Sequence, residues 1–173
     1  AGTPAVSNAS NQSSVDRCAN IGPKTAFLVG SACNYGYGTI DPIDELSALA
    51  VEHGIGLHVD GCLGGFILPW GEALGYDIPV FDFRLPGVTT ISADTHKYGY
   101  ATKGSSVLSF RNKNLREGLY FMEQEWSGGK YLSPGIAGSR SGGILAATWS
   151  SMVSLGREGY MAHAKKIFET AYA

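Results

Sequence analysis

The stretch Thr89–Tyr100, "TTISADTHKYGY", begins as a run of apolar and β-branched residues and ends in a cluster of histidine, lysine, tyrosine and glycine. Its first half has the composition of a strand packed within a sheet. His96 and Lys97 therefore stand where a buried strand runs out. Three readings compete for the pair: a solvated turn, a satisfied structural pair, or an amine held where it can form a Schiff base.

Working outward, "TAFLVGS" (25–31), "IGLHVD" (55–60), "VTTISAD" (88–94) and "SSVLSF" (105–110) read as four short strands separated by helical or broken segments. That alternation predicts an α/β layer architecture with parallel strands. Asp41 is the expected cap of a helix that has Pro42 at its first position and Asp44 and Glu45 in its first turn; Gly54 ends it just after His53. The run 61–87 is broken by glycine and proline and is expected to hold a short helix or a loop. "RNKNLREGLYFM" (111–122) starts as a helix, and "SGGKYLSPGIAGSRSGG" (127–143) reads as a long glycine-rich loop. Helices follow over about 144–155 and from Tyr160 onward.

With 173 residues, 44% of them hydrophobic, the chain can build the core of one ordinary domain. Thirteen basic and fifteen acidic side chains give a net charge of −2, without a basic stripe, so charge gives no support for nucleic acid binding. Cys18, Cys33 and Cys62 are odd in number and show no zinc spacing, which points to a reducing, cytoplasmic or cytosol-facing setting. No apolar run is long enough for a membrane helix, and the opening residues do not have the pattern of a signal peptide. The chain reads as soluble, and as a piece of something longer: it starts without methionine and stops inside a helical pattern. We expect a polar segment over 1–24, the main α/β portion over 25–158, and over 159–173 the start of a helix leading to a further domain.

Several side chains could carry chemistry. In "GLHVDGCLGG" the two-residue strand period puts His58 and Asp60 on one face and Leu57 and Val59 on the other, with Asp60 at the carboxyl end, where open α/β sheets bind ligands. Asp60 is either an ordinary turn or capping residue or a carboxylate in need of a cationic partner. His58-x-Asp60 and Asp94-x-His96 could supply four metal ligands, but both pairs are generic and the Lys97 cation would sit beside the ion, so no metal is expected. Lys97 is the more informative residue, because an amine beside other groups at a strand end can act on a carbonyl. Lys103, followed by Gly104 and Ser105, suits an anion, but a hairpin connection turning into the fourth strand is the favoured reading of the residues alone. Ser139 and Arg140, in a glycine-rich loop, suit a carboxylate or phosphate or are simple loop residues. Cys33 and Cys62 read as small packing residues.

"HVDGCLGGF", "TTISADTHKYGYATKGSSVL", "GGKYLSPGIAGSRSGG" and "AATWSSM" together resemble the group II pyridoxal-phosphate decarboxylase family, and within it the sphingosine-1-phosphate lyases. The resemblance runs from about Thr25 to the end of the chain. It implies the large domain of the type I, aspartate aminotransferase-like fold, a mainly parallel sheet flanked by helices. It implies pyridoxal 5'-phosphate as cofactor, with its aldehyde on Lys97 and its ring nitrogen paired with Asp60. His96, Thr39 and Cys62 would lie beside the cofactor, and Tyr35 and Tyr37 nearby. Lys103, Ser105, Ser139 and Arg140 would serve the substrate and its phosphate.

The implied reaction is cleavage of the C2–C3 bond of a phosphorylated long-chain base to a fatty aldehyde and phosphoethanolamine. Tyr37, His96, Lys103 and the cofactor phosphate compete for the role of base. An amino acid decarboxylase and a catalytically silent fragment are the alternatives. The resemblance further implies a homodimer in which the loop around Ser139 and Arg140 reaches the partner's site. Membrane contact, at the endoplasmic reticulum in a eukaryotic protein, would come only through parts outside this chain. Two departures from the family pattern are Gly61, where alanine is expected, and Thr102, where proline is common. The glycine/serine-rich phosphate loop, the ring-stacking residue and the carboxyl-terminal small domain are not found in these residues.

Overall fold

A computed structural model describes residues 21–173; the opening segment, Cys18 included, lies outside the described residues up to position 20. Four strands form the main sheet: β1 (Phe27–Ser31), β2 (Gly56–Asp60), β3 (Val88–Ala93) and β4 (Val107–Phe110), in that spatial order. β1 pairs with β2 in parallel, Ser31 opposite Asp60, and β2 pairs with β3 in parallel, Asp60 opposite Ser92. The expected parallel order ends there. β4 runs antiparallel to β3, with Ala93 opposite Val107. The reason lies in the connection 94–106, which holds turns and no helix, whereas a parallel return needs a crossover, usually through a helix.

The period of two sorts the sheet as expected. Leu57 and Val59 are fully buried, and with Val88 they form the centre of the core. Each such side chain contributes about 2 kcal/mol by leaving water. Helix α1 (Ile43–His53) covers this face through Ile43 and Ala50. Gly54 closes it in the left-handed region at φ 63°, its N–H donating to the carbonyls of Ala50 and Val51. Asp41, however, does not cap α1. Its Oδ2 accepts the Ser31 N–H at 2.7 Å and its own N–H donates to the Ser31 carbonyl at 2.9 Å, so it clamps the end of β1 instead.

After β2 the chain makes a single 3₁₀ turn at Gly64–Phe66 and the short helix α2 (Leu68–Ala73). The irregular segment leading into β3 is tied down from the far side by Arg111, which follows β4. Its Nε donates to the Val88 carbonyl at 2.6 Å and its Nη2 to the carbonyls of Phe83 and Leu85.

Helix α3 (Lys113–Glu117) is capped by the Asn112 side chain, which accepts the Leu115 N–H. The long loop expected over 127–143 contains a strand: β6 (Tyr131–Ser133) pairs antiparallel with β5 (Phe121–Glu123). Phe121, Met122, Trp126 and Leu132 of this hairpin are exposed.

The last element, α4 (Gly142–Ala171), is two helical pieces joined at Gly156, whose φ of 57° and ψ of −176° are non-helical. That matches the expected gap between 155 and 160. The second piece folds back on α2: Tyr160 stacks on Trp70 at 5.8 Å, and the Phe168 ring lies where a Cβ on Gly71 would be only 2.4 Å from it. Residues 159–171 thus pack on the same core as the strands, with Ala164 buried among them.

Candidate active site

The sheet face opposite α1 carries a polar seam. On β2 and β3, His58 Nδ1 meets Thr90 Oγ1 at 2.8 Å, His58 Nε2 meets Ser92 Oγ at 3.3 Å, and Ser92 Oγ donates to Asp60 Oδ1 at 3.3 Å. The seam exists because paired residues of neighbouring strands point to the same side. Asp60 Oδ1 also accepts the Cys62 N–H at 3.0 Å. Partial burial pushes the Asp60 carboxyl up, but hydrogen bonds from Cys62 and Ser92, with His58 nearby, outweigh it and hold the group below its ordinary value. Burial lowers His58, against the pull of Asp60, and leaves it a neutral imidazole near pH 7.

Lys97 sits in the turn that follows β3, where Lys97 N–H donates to the Asp94 carbonyl and Tyr100 N–H to the Lys97 carbonyl. Its Nζ lies 2.9 Å from Asp94 Oδ2, with 29% of the side chain exposed. Cys62 N–H donates to Asp60 Oδ1 and the Cys62 thiol acts on the charge of Lys97, so amine and carboxylate have a neighbour in common. Cys62 and Asp94 raise Lys97 above the ordinary lysine, against partial burial. Burial also pushes the Cys62 thiol up, so it is protonated near neutral pH and Asp94 supplies the negative charge. Asp94 itself is pushed up by burial and pulled down further by Ser106, Lys97 and His96, for a net lowering. Ser106 Oγ donates to its Oδ1 at 2.6 Å.

His96 is oriented by its backbone neighbour. Nδ1 lies 2.7 Å from the Ser105 carbonyl, which can only accept, so Nδ1 carries the proton; Nε2 stands 3.7 Å from Asp94 Oδ2. The Ser105 hydroxyl is committed elsewhere than to a phosphate: it meets Thr95 Oγ1 at 2.5 Å and Thr148 Oγ1 at 2.8 Å.

The remaining expected site residues are not drawn into this cluster. Lys103 is exposed in the connection between β3 and β4 and makes no hydrogen bond or ion pair among the described residues. Tyr35 and Tyr37 are 86% and 91% exposed, in a turn held by the Asn34 side chain, and Thr39 contributes its carbonyl to the Asn34 N–H. Arg140 turns its guanidinium on its own loop, to the carbonyls of Ser139 and Ala137. Among the described residues no three His, Cys, Asp or Glu side chains stand together to hold a metal. Sequence reasoning had Asp94 only as a generic metal ligand and missed Ser92, Thr95 and Thr148, which join the site through strand register, the turn after β3 and helix packing. Gly61 fits its place, since a Cβ there would lie 2.9 Å from the Ser92 carbonyl oxygen.

A partly exposed amine follows one strand of the sheet and an ionised carboxylate ends the strand paired with it. The model of the pyridoxal-dependent decarboxylase conserved domain matches residues 6–173. The chain belongs to the pyridoxal-dependent decarboxylase family. Within this family it is 57% identical over 150 residues to a sphingosine-1-phosphate lyase of Dictyostelium discoideum, matching 87% of the chain and 28% of that protein. It is 40% identical over 151 residues to a probable L-aspartate decarboxylase of Pyrococcus abyssi, covering 87% of the chain and 39% of that protein. A solved sphingosine-1-phosphate lyase from Burkholderia pseudomallei superposes with a TM-score of 0.88 at 63% identity, over 92% of this chain and 37% of that one. The fold is thus the large-domain portion of the type I pyridoxal-phosphate architecture. The chain spans about a quarter of the length of the curated lyases it matches.

Proposed function

We propose that this chain is the cofactor-lysine portion of a pyridoxal 5'-phosphate-dependent lyase that cleaves a phosphorylated long-chain base between C2 and C3, to a fatty aldehyde and phosphoethanolamine. The observation that carries the reading is the placement of Asp60 at the end of β2 and of Lys97 in the turn that follows β3, the strand paired in parallel with it. The donor set fits the cofactor: Lys97 offers an amine for an aldehyde, and Asp60, ionised and fixed by the Cys62 N–H and Ser92, offers a carboxylate for a protonated ring nitrogen. When bound, pyridoxal 5'-phosphate supplies a cationic ring that takes up the electron pair of the breaking carbon–carbon bond.

Asp60 keeps the ring nitrogen charged, because an anion at short range favours the protonated form. Lys97 must shed a proton before it can attack, and Asp94 is the group that receives its charge contact until then. His96, with Nδ1 protonated, presents Nε2 as the acceptor beside Asp94 and is the best-placed base among Tyr37, His96 and Lys103.

The test is addition of pyridoxal 5'-phosphate to the chain, borohydride reduction and peptide mapping. Reduced cofactor on Lys97 is expected; its appearance on Lys103 or another lysine instead would end the assignment. The amino acid decarboxylase reading uses the same two residues. Release of aldehyde from a phosphorylated long-chain base, and not of carbon dioxide from an amino acid, by the protein that carries this chain separates the two. A homodimer fits the exposed apolar hairpin formed by β5 and β6, and the free thiols of Cys33 and Cys62 fit a cytosol-facing setting.

A further inference from the structure

The turn that carries Lys97 is gripped at both ends by the same broken helix. At its start, Thr95 is 2% exposed, and its Oγ1 donates to the Ser105 carbonyl at 2.9 Å. With that proton placed, the 2.5 Å contact between Thr95 and Ser105 hydroxyls must be donated by Ser105, and the 2.8 Å contact beyond it by Thr148. The result is one directed chain, Thr148 to Ser105 to Thr95 to the Ser105 carbonyl, and that carbonyl also orients His96. Thr148 belongs to the first piece of α4 and is 8% exposed.

At the other end of the turn, Tyr160, from the second piece of α4, donates its hydroxyl to the Gly99 carbonyl at 2.7 Å. Tyr100 follows in the left-handed region at φ 56°, a conformation a tyrosine rarely takes without support. The rings of Tyr160 and His163 lie against it at 6.4 and 4.9 Å. Gly99 itself admits no side chain, because a Cβ would stand 2.3 Å from the Thr95 carbonyl oxygen. The two grips fall on either side of the break at Gly156.

The geometry points to Thr148 and Tyr160 as positioning residues that together set where the Lys97 amine stands relative to Asp94 and Cys62. Neither hydroxyl touches the amine; each acts through the backbone that bears it. The inference rests on Lys97 being the lysine that matters, but the geometry it concerns can be read without cofactor. The groups that face the amine are Asp94 and Cys62, with His96 beside Asp94.

The experiment is competitive acetylation of the chain across a pH series, with the modification at each lysine read by mass spectrometry. Lys113 and Lys165, each paired only along its own helix, serve as internal references. In Thr148→Val, and separately in Tyr160→Phe, the Lys97 midpoint is expected to fall by about half a pH unit, which is about threefold faster labelling at a fixed pH below it. The reference lysines should not move, and Thr148→Ser should restore the parent profile. Lys97 profiles that superpose on the parent in both variants, or that shift together with Lys113 and Lys165, overturn the proposal. Should Thr148→Val fail to fold, Tyr160→Phe tests the other grip with the same two outcomes. Cofactor trapped on a different lysine would refute the functional reading while leaving this measurement intact.

Discussion

Asp60 and Lys97 come from the ends of two paired parallel strands, Asp60 closing β2 and Lys97 standing in the turn that follows β3. Neither is within the other's reach in sequence. Their placement follows from parallel pairing of β2 and β3 in the register that sets Asp60 opposite Ser92, five residues before Lys97. From this relationship the chemistry of the amine can be tested directly.

Asp94 supplies the full negative charge nearest the Lys97 amine. Asp94→Asn should therefore lower the pH midpoint of Lys97 modification and speed its reaction with aldehydes near neutral pH, by about threefold or more if the midpoint moves by about half a unit. The rate of adduct formation against pH checks it. An unchanged midpoint would mean that the Asp94 contact does not control the amine.

The Asp60 carboxyl sits below its ordinary value in the folded chain. A depressed carboxyl contributes stability that is present above the unfolded value, about 3.9, and is lost as pH falls through the folded one. Thermal melting between pH 6 and pH 3 should show this loss, and Asp60→Asn should flatten it. A variant that loses stability toward acid as steeply as the parent would show that other carboxylates, such as Asp94, dominate that limb.

At Gly64 the chain after β2 passes close to the start of the loop after β1. A Cβ there would stand 2.0 Å from the Ala32 carbonyl oxygen and 2.6 Å from Leu68 Cδ1. Backbone cannot yield as a flexible side chain can, so Gly64→Ala should cost about 3 kcal/mol by overpacking. Denaturant titration is the measurement. Gly22→Ala, at a site open within 4 Å, is the matched control and should be close to neutral.

Phe121 and Leu132 sit on the hairpin and are exposed, so replacing both by serine should leave the melting temperature of the chain almost unchanged. If this hairpin joins two copies, sedimentation of the protein that carries the chain should shift toward a monomer. No change in mass would remove the hairpin from any dimer interface.

Strand positions were legible because the alternation of Leu57 and Val59 with His58 and Asp60 has one reading, an apolar face against a polar one. The break in α4 was legible too, since no helical pattern runs smoothly through Gly156. The direction of β4 was not: its composition is that of any short strand, and only the helix-free connection before it forces the reversal. Asp41 misled because proline at the next position is a strong helix-start signal, while the competing donor, the Ser31 N–H, lies ten residues away. β6 was hidden by glycines on both sides of a three-residue strand. Within the site, Lys97 and Asp60 stood out by residue type at strand ends. Ser105 was read as a phosphate donor for the same reason, and its partner Thr148 could not be seen because the contact spans 43 residues and depends on how α4 packs.

Arg111 fills a gap that neither helix nor sheet covers. Its guanidinium accepts no bonds but donates to three carbonyls, those of Phe83, Leu85 and Val88, and its cationic face rests on the Phe83 ring at 5.5 Å. A single side chain thus acts as a splint for a stretch of backbone with no ladder of its own. Lysine would keep the charge and lose the fork, leaving carbonyls of this segment to find water. Arg111 shares with the Ser47 hydroxyl, which accepts the Gly87 N–H at 2.8 Å, the fixing of the entry of β3, and so supports the level at which Ser92 meets Asp60.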